Sequence, residues 1–98
     1  MVTLAGLAYL RALREQDPSA ACRYAGGTVR REMRCSSEPR LADVITPDSR
    51  LEPFHIRMHG ARAATLWVYA KPGPVEGLEL QLTDGRWRVI DHRGFGFA

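Results

Sequence analysis

Residues 78–91 read LELQLTDGRWRVID, and this stretch decides the fold of the second half of the chain. Two runs that alternate apolar with polar residues are separated by Asp84-Gly85 alone. Asp and Gly both tolerate the positive φ of a two-residue type I′ turn, so the stretch reads as a β-hairpin. The turn sets the register. Thr83 falls opposite Arg86, Leu82 opposite Trp87, Gln81 opposite Arg88, Leu80 opposite Val89, Glu79 opposite Ile90, and Leu78 opposite Asp91. Leu78, Leu80, Leu82, Trp87 and Val89 then share a core face, while Glu79, Gln81, Thr83, Arg86 and Arg88 share the wetter one. Continued without a break, the ladder carries Asp91 to the core face, where an unpaired charge is costly. Asp91 is therefore expected to bond a donor (Tyr9, Tyr24, a helix arginine or a backbone N–H), to reach solvent, or to line a pocket.

Upstream of the hairpin the period-two pattern extends back to Leu51. Strands are predicted over 51–58, 62–70, 77–83 and 86–92, broken at His59-Gly60, at Lys71-Pro72-Gly73-Pro74 and at Asp84-Gly85. The second of these admits two orientations. The one adopted turns Ala64, Leu66 and Val68 to the core and leaves Trp67 and Tyr69 on the outer face, an apolar patch that a partner is expected to cover. A homodimer is predicted, with Trp67, Tyr69 and Arg88 at its interface.

The first half is helical. Leu4, Leu7, Leu10 and Leu13 recur among alanines and predict an amphipathic helix over 4–16. Asp17-Pro18 ends it and starts a second helix, Asp17 as N-cap and Pro18 at the first helical position, running to about Ala25 before Gly26-Gly27. A third short helix is expected over 28–34. Residues 36–50 hold Pro39, Pro47 and scattered charges and read as loop, with Val44 and Ile45 tucked onto the core. The chain is thus one α+β domain of 98 residues: a helical half over 1–35, a loop over 36–50 and an antiparallel sheet half over 51–98.

Composition narrows the function classes. At 45% apolar and 26% charged the chain is an ordinary globular protein. All of its 14 basic residues except Lys71 are arginine, a bias that fits a GC-rich genome. The densest basic cluster, Arg30, Arg31 and Arg34 with Arg23 and Arg40, is interrupted by Glu32 and Glu38 and reads as a solvated helix face rather than a nucleic-acid surface. No run reaches the length of about 20 apolar residues that a membrane span needs. The first 15 residues lack a basic leader and a cleavage site, so as written the chain reads as cytoplasmic. It reads as extracytoplasmic if it is a piece of a longer exported protein or if its cysteines are oxidised.

Those cysteines, Cys22 and Cys35, fit no zinc pattern. Two readings stand: two small buried thiols, or a disulfide pinning two helices, which would stabilise by about 3 kcal/mol. His55 and His59, four apart on a strand, lie about 13 Å from one another, too far to share a metal ion. Gly94-Phe95-Gly96-Phe97 has no helix after it and reads as a tail with Phe95 packed on the sheet, not a phosphate loop. No cofactor or metal site is predicted.

The order AYLRALREQDPSAAC (residues 8–22), GARAATLWV (60–68) and LELQLTDGRWRVID resembles the nuclear-transport-factor-two-like superfamily, with its SnoaL-like and lumazine-binding-like bacterial members. The resemblance covers nearly the whole chain. It implies a cystatin-like fold, a curved antiparallel sheet wrapped around the N-terminal helices, often with a cone-shaped cavity between them. Members include isomerases, cyclases and dehydratases as well as non-enzymatic binding and dimerisation modules, so fold alone does not give function. The expected function is a non-enzymatic domain that binds a small apolar ligand or a protein partner, with Tyr9, Tyr24 and Asp91 as ligand-binding residues. The alternative is a small SnoaL-like enzyme using Asp91 and His92 as acid–base residues in that cavity.

Overall fold

The computed structural model describes residues 1–41 and 45–95. Among these residues three helices, α1 (Val2–Arg14), α2 (Pro18–Cys22) and α3 (Gly27–Glu32), precede a sheet of four strands. The strands are β1 (Arg50–Met58), β2 (Ala63–Lys71), β3 (Val75–Thr83) and β4 (Arg86–Phe95), in spatial order β1-β2-β3-β4 and antiparallel throughout.

Helix α1 begins and ends two residues before the predicted bounds. It stops in a Schellman arrangement: Asp17 N–H donates to the Ala12 carbonyl at 2.9 Å, Gln16 N–H to that of Leu13 at 3.1 Å. Gln16 takes the left-handed φ of 58° there without being glycine. Asp17 then caps α2 by accepting from Ala20 N–H at 3.0 Å, with Pro18 at its first position. Helix α2 is only one turn long, ending at Cys22 rather than Ala25.

The leucine stripe is corrected. The buried face of α1 is Val2, Ala5, Gly6, Tyr9, Leu10, Ala12 and Leu13, while Leu4 is 61% exposed. A step of three residues turns the helix by about 300°, so four leucines at that spacing spread over half the circumference and cannot all face inward. Gly6 sits where α1 meets the sheet: a Cβ there would lie 2.5 Å from Leu66 Cδ2 and 3.2 Å from Leu78 Cδ1.

Between α2 and α3 the backbone runs along the outer edge of β4. Gly26 N–H donates to the Val89 carbonyl (2.9 Å), and Val89 N–H to that of Tyr24 (2.7 Å). A side chain at Gly26 would press on Arg88 Cβ at 3.0 Å, so the close approach is eased by glycine. A disulfide joins Cys22 to Cys35 across a Cα separation of 5.6 Å, tying the end of α2 to the turn after α3. Edge pairing on β4, and a bulge with Pro53 on β1, leave neither sheet edge as a clean template for another strand.

The Asp84-Gly85 turn forms as predicted, with φ of 52° and 75° at its two residues. The first four hairpin pairs also match, through Leu80 opposite Val89. A bulge then intervenes: Glu79 pairs with Asp91 and Leu78 with His92, and Ile90 is the extra residue. This overturns the core-face placement of Asp91. One inserted residue exchanges the faces of everything after it, so Asp91 turns outward and His92 turns to the core.

The core lies between α1 and the sheet. Tyr9, Leu10 and Leu13 pack with Leu66, Val68, Leu78, Leu80 and Val89, all essentially without exposed surface. Side chains therefore fill the interval where the superfamily resemblance implies a cavity. Met33 and Ile45 complete the core from the α3 side and the loop, while Val44 lies outside the described residues. So does the Phe95 side chain, on which the predicted tail contact falls.

Candidate functional site

Helix α1 packs across one side of the sheet, with α2 against α1 and α3 against β4, and the side away from α1 carries the most chemistry. Ala64, Leu66 and Val68 are buried and Trp67 and Tyr69 are half-buried outside the core, the orientation adopted above. Trp67 lies against the His55 ring at 5.0 Å between centroids, and Tyr69 stacks on Phe54 at 4.2 Å. Lys71 reaches over the Tyr69 ring at 5.5 Å and bonds Glu52 at 2.7 Å. That hydrogen bond and the ammonium charge hold the Glu52 carboxyl below the ordinary glutamate value.

Register pairs carry across all four strands and order this face into rows. His55, Trp67, Gly77 and Arg93 form one; Arg57, Thr65, Glu79 and Asp91 form the next. Within the second, Glu79 accepts from the Thr65 hydroxyl at 3.0 Å, and His59 Nε2 lies 2.7 Å from the same hydroxyl. Asp91 accepts from Arg93 Nε at 3.2 Å and from the His92 backbone N–H at 3.0 Å. Gly77 has no side chain to fill its place between Trp67 and Arg93, and a groove of about 270 Å³ opens over it, bounded also by Thr65, Glu79 and Asp91.

The predicted ligand residues separate. Tyr9 and His92 meet in the core, ring centroids 5.7 Å apart and edge to face. His92 Nε2 lies 3.1 Å from Glu76 Oε2, the side chains only 3% and 7% exposed. Asp91 is on the opposite side of the sheet, and Tyr24 packs at the core margin where its carbonyl holds β4. The Asp91–His92 acid–base pair is thus split across the sheet. The pair that does form, Glu76 with His92, is closed off from solvent among the described residues.

The predicted interface set also divides. Trp67 and Tyr69 share the outer face, but Arg88 stands two strands away at the β4 edge, its Nη1 donating to the Arg23 carbonyl at 3.4 Å. Gly77 takes the place beside Trp67 and Arg93 the one beyond it, and neither was singled out from the sequence. Alternation counted back from Leu78 would have found both Gly77 outside and Glu76 inside. Arg93 was out of reach because the bulge moved it. No protein-family model, curated protein or solved structure matches the chain.

Proposed function

We propose that the chain is a non-enzymatic interaction domain that pairs with a second copy of itself through the open face of its sheet. The observation that carries this reading is the row His55, Trp67, Gly77, Arg93, in which a large aromatic stands next to a position with no side chain.

Sheets stack face to face about 10 Å apart with their strands nearly aligned. A two-fold axis parallel to the strands, above the boundary of β2 and β3, lays β1 of one copy over β4 of the other and β2 over β3. Rows stay level under that rotation. Trp67 then enters the groove over Gly77 of the second copy, Tyr69 meets Val75, and Arg57 meets Asp91. The face is therefore complementary to itself in shape at Trp67 and Gly77 and in charge at Arg57 and Asp91, as an isologous interface requires. Face-to-face pairing also fits the two sheet edges, both of which are already blunted.

Turnover has less to support it. An acid–base role for His92 needs a substrate to reach it, and the ring is enclosed by Tyr9, Glu76 and the packed core. Sedimentation equilibrium of the wild type and of Trp67→Ala tests the proposal. The wild type is expected to be dimeric and the variant predominantly monomeric, with the same melting behaviour at low concentration. A wild type that stays monomeric at high concentration removes the reading.

A further inference from the structure

A second groove, on a surface apart from the sheet face, has a different chemistry. It opens between the start of α1, the exit of α2 and the β3–β4 hairpin, with a volume of about 630 Å³. We propose that it binds a small organic anion: one carboxylate or phosphate group carried on an apolar body.

Four arginines line the groove: Arg23, Arg30, Arg86 and Arg88. Among the described residues no carboxylate lines it and none of the four takes part in an ion pair. Like charges gathered without a counter-charge repel one another, and an anion relieves that repulsion. The guanidinium fork suits carboxylate and phosphate oxygens, which it can grip with two N–H groups at once.

Two of the guanidiniums are already positioned. Arg30 Nη1 donates to the Cys22 carbonyl at 3.3 Å and Arg88 Nη1 to the Arg23 carbonyl at 3.4 Å, each keeping further N–H groups for a ligand. The Cys22–Cys35 disulfide and the close approach of Gly26 to Arg88 hold these segments together. Arg23 and Arg86 make no side-chain hydrogen bond among the described residues, so their charge is available.

The rest of the lining is apolar. Leu4, Tyr24 and Trp87 contribute to it, and Leu4 is the largely exposed leucine that the core leaves out. Charge at one part and apolar surface at another selects an amphipathic anion over a simple ion. The volume falls within the range of small-molecule pockets, which favours a compact ligand over a nucleic-acid strand.

The test uses the full chain and two dyes of nearly the same body. Anilinonaphthalene sulfonate, its sulfonate standing in for carboxylate or phosphate, is titrated calorimetrically beside neutral phenylnaphthylamine. The anion is expected to bind once per chain and at least about tenfold more tightly than the neutral dye. Raising salt from about 0.05 to about 0.5 M is expected to weaken it. Arg23→Gln with Arg86→Gln is expected to lower its affinity at least about tenfold without changing the melting temperature, and either single variant to lower it in part. Arg11→Gln, in the last turn of α1 and outside the groove, is expected to leave binding unchanged. Equal binding of the two dyes, indifference to the arginine substitutions, or an equal loss in Arg11→Gln overturns the proposal. The dimer reading is untouched by any of these outcomes.

Discussion

Trp67 of β2 and Gly77 of β3 are direct register partners, so the largest side chain on the outer face stands beside a position that has none. Sheet faces left bare by the helices are ordinarily covered, and in the proposed dimer this one is covered by a second copy of itself. The same alternation that turns Trp67 outward turns Leu66 and Val68 onto α1, which links the interaction face to the core directly.

The first prediction concerns the buried polar pair. Glu76 and His92 lie 3.1 Å apart in a nearly sealed environment, where removing one partner exposes the other to an unfavourable desolvation. Glu76→Ala is expected to destabilise by about 2–3 kcal/mol in urea unfolding, and Glu76→Gln, which keeps a hydrogen-bonding group, by less than about 1 kcal/mol. Equal losses in the two variants would place the effect in packing rather than in the hydrogen bond.

A second prediction tests whether α1 rests on the sheet or above a cavity. An alanine in a helix interior is favoured over glycine by about 1 kcal/mol. At Gly6 that gain is opposed by contact with Leu66 and Leu78, and overpacking of this kind costs about 1–3 kcal/mol. Gly6→Ala is therefore expected to lose about 1 kcal/mol net by chemical denaturation. A stabilised variant would mean that the interval is open.

The third concerns the disulfide. Its partners are 13 residues apart, a loop whose closure stabilises by about 3 kcal/mol. Reduction, or Cys22→Ala with Cys35→Ala, is expected to lower stability by about that amount, and alkylation before reduction to label neither cysteine. Free thiols in the purified protein would contradict it.

Much of this architecture is legible in the sequence, and the misses have local causes. Asp84-Gly85 dictated the hairpin because few residue pairs accept two successive positive φ values. Asp17-Pro18 announced a helix boundary for the same kind of reason, one residue capping and the next lacking an N–H. The bulge at Ile90 had no such signature: Val89 and Ile90 are both apolar β-branched residues, and either reads as inward. That one residue exchanged Asp91 for His92 and moved the candidate acid to the wrong face. Glu76 was missed because the strand was started two residues late, at Gly77 rather than Val75. The arginine-lined groove draws on residues 23, 30, 86 and 88, which only the folded chain brings together.

The most direct test of the account is a charge exchange across the sheet face, read by sedimentation velocity. In the proposed dimer Arg57 of each copy meets Asp91 of the other, so each substitution acts twice. An exposed pair is worth about 0.2–1 kcal/mol, and replacing attraction by repulsion at two symmetric sites amounts to about tenfold in the dimer constant or more. Arg57→Asp alone and Asp91→Arg alone are each expected to shift the protein toward monomer. The doubly substituted chain, in which the pair is restored with its signs reversed, is expected to return to dimer. A double variant no better associated than either single one, or a wild type that sediments as a monomer throughout, would contradict the pairing of these two faces.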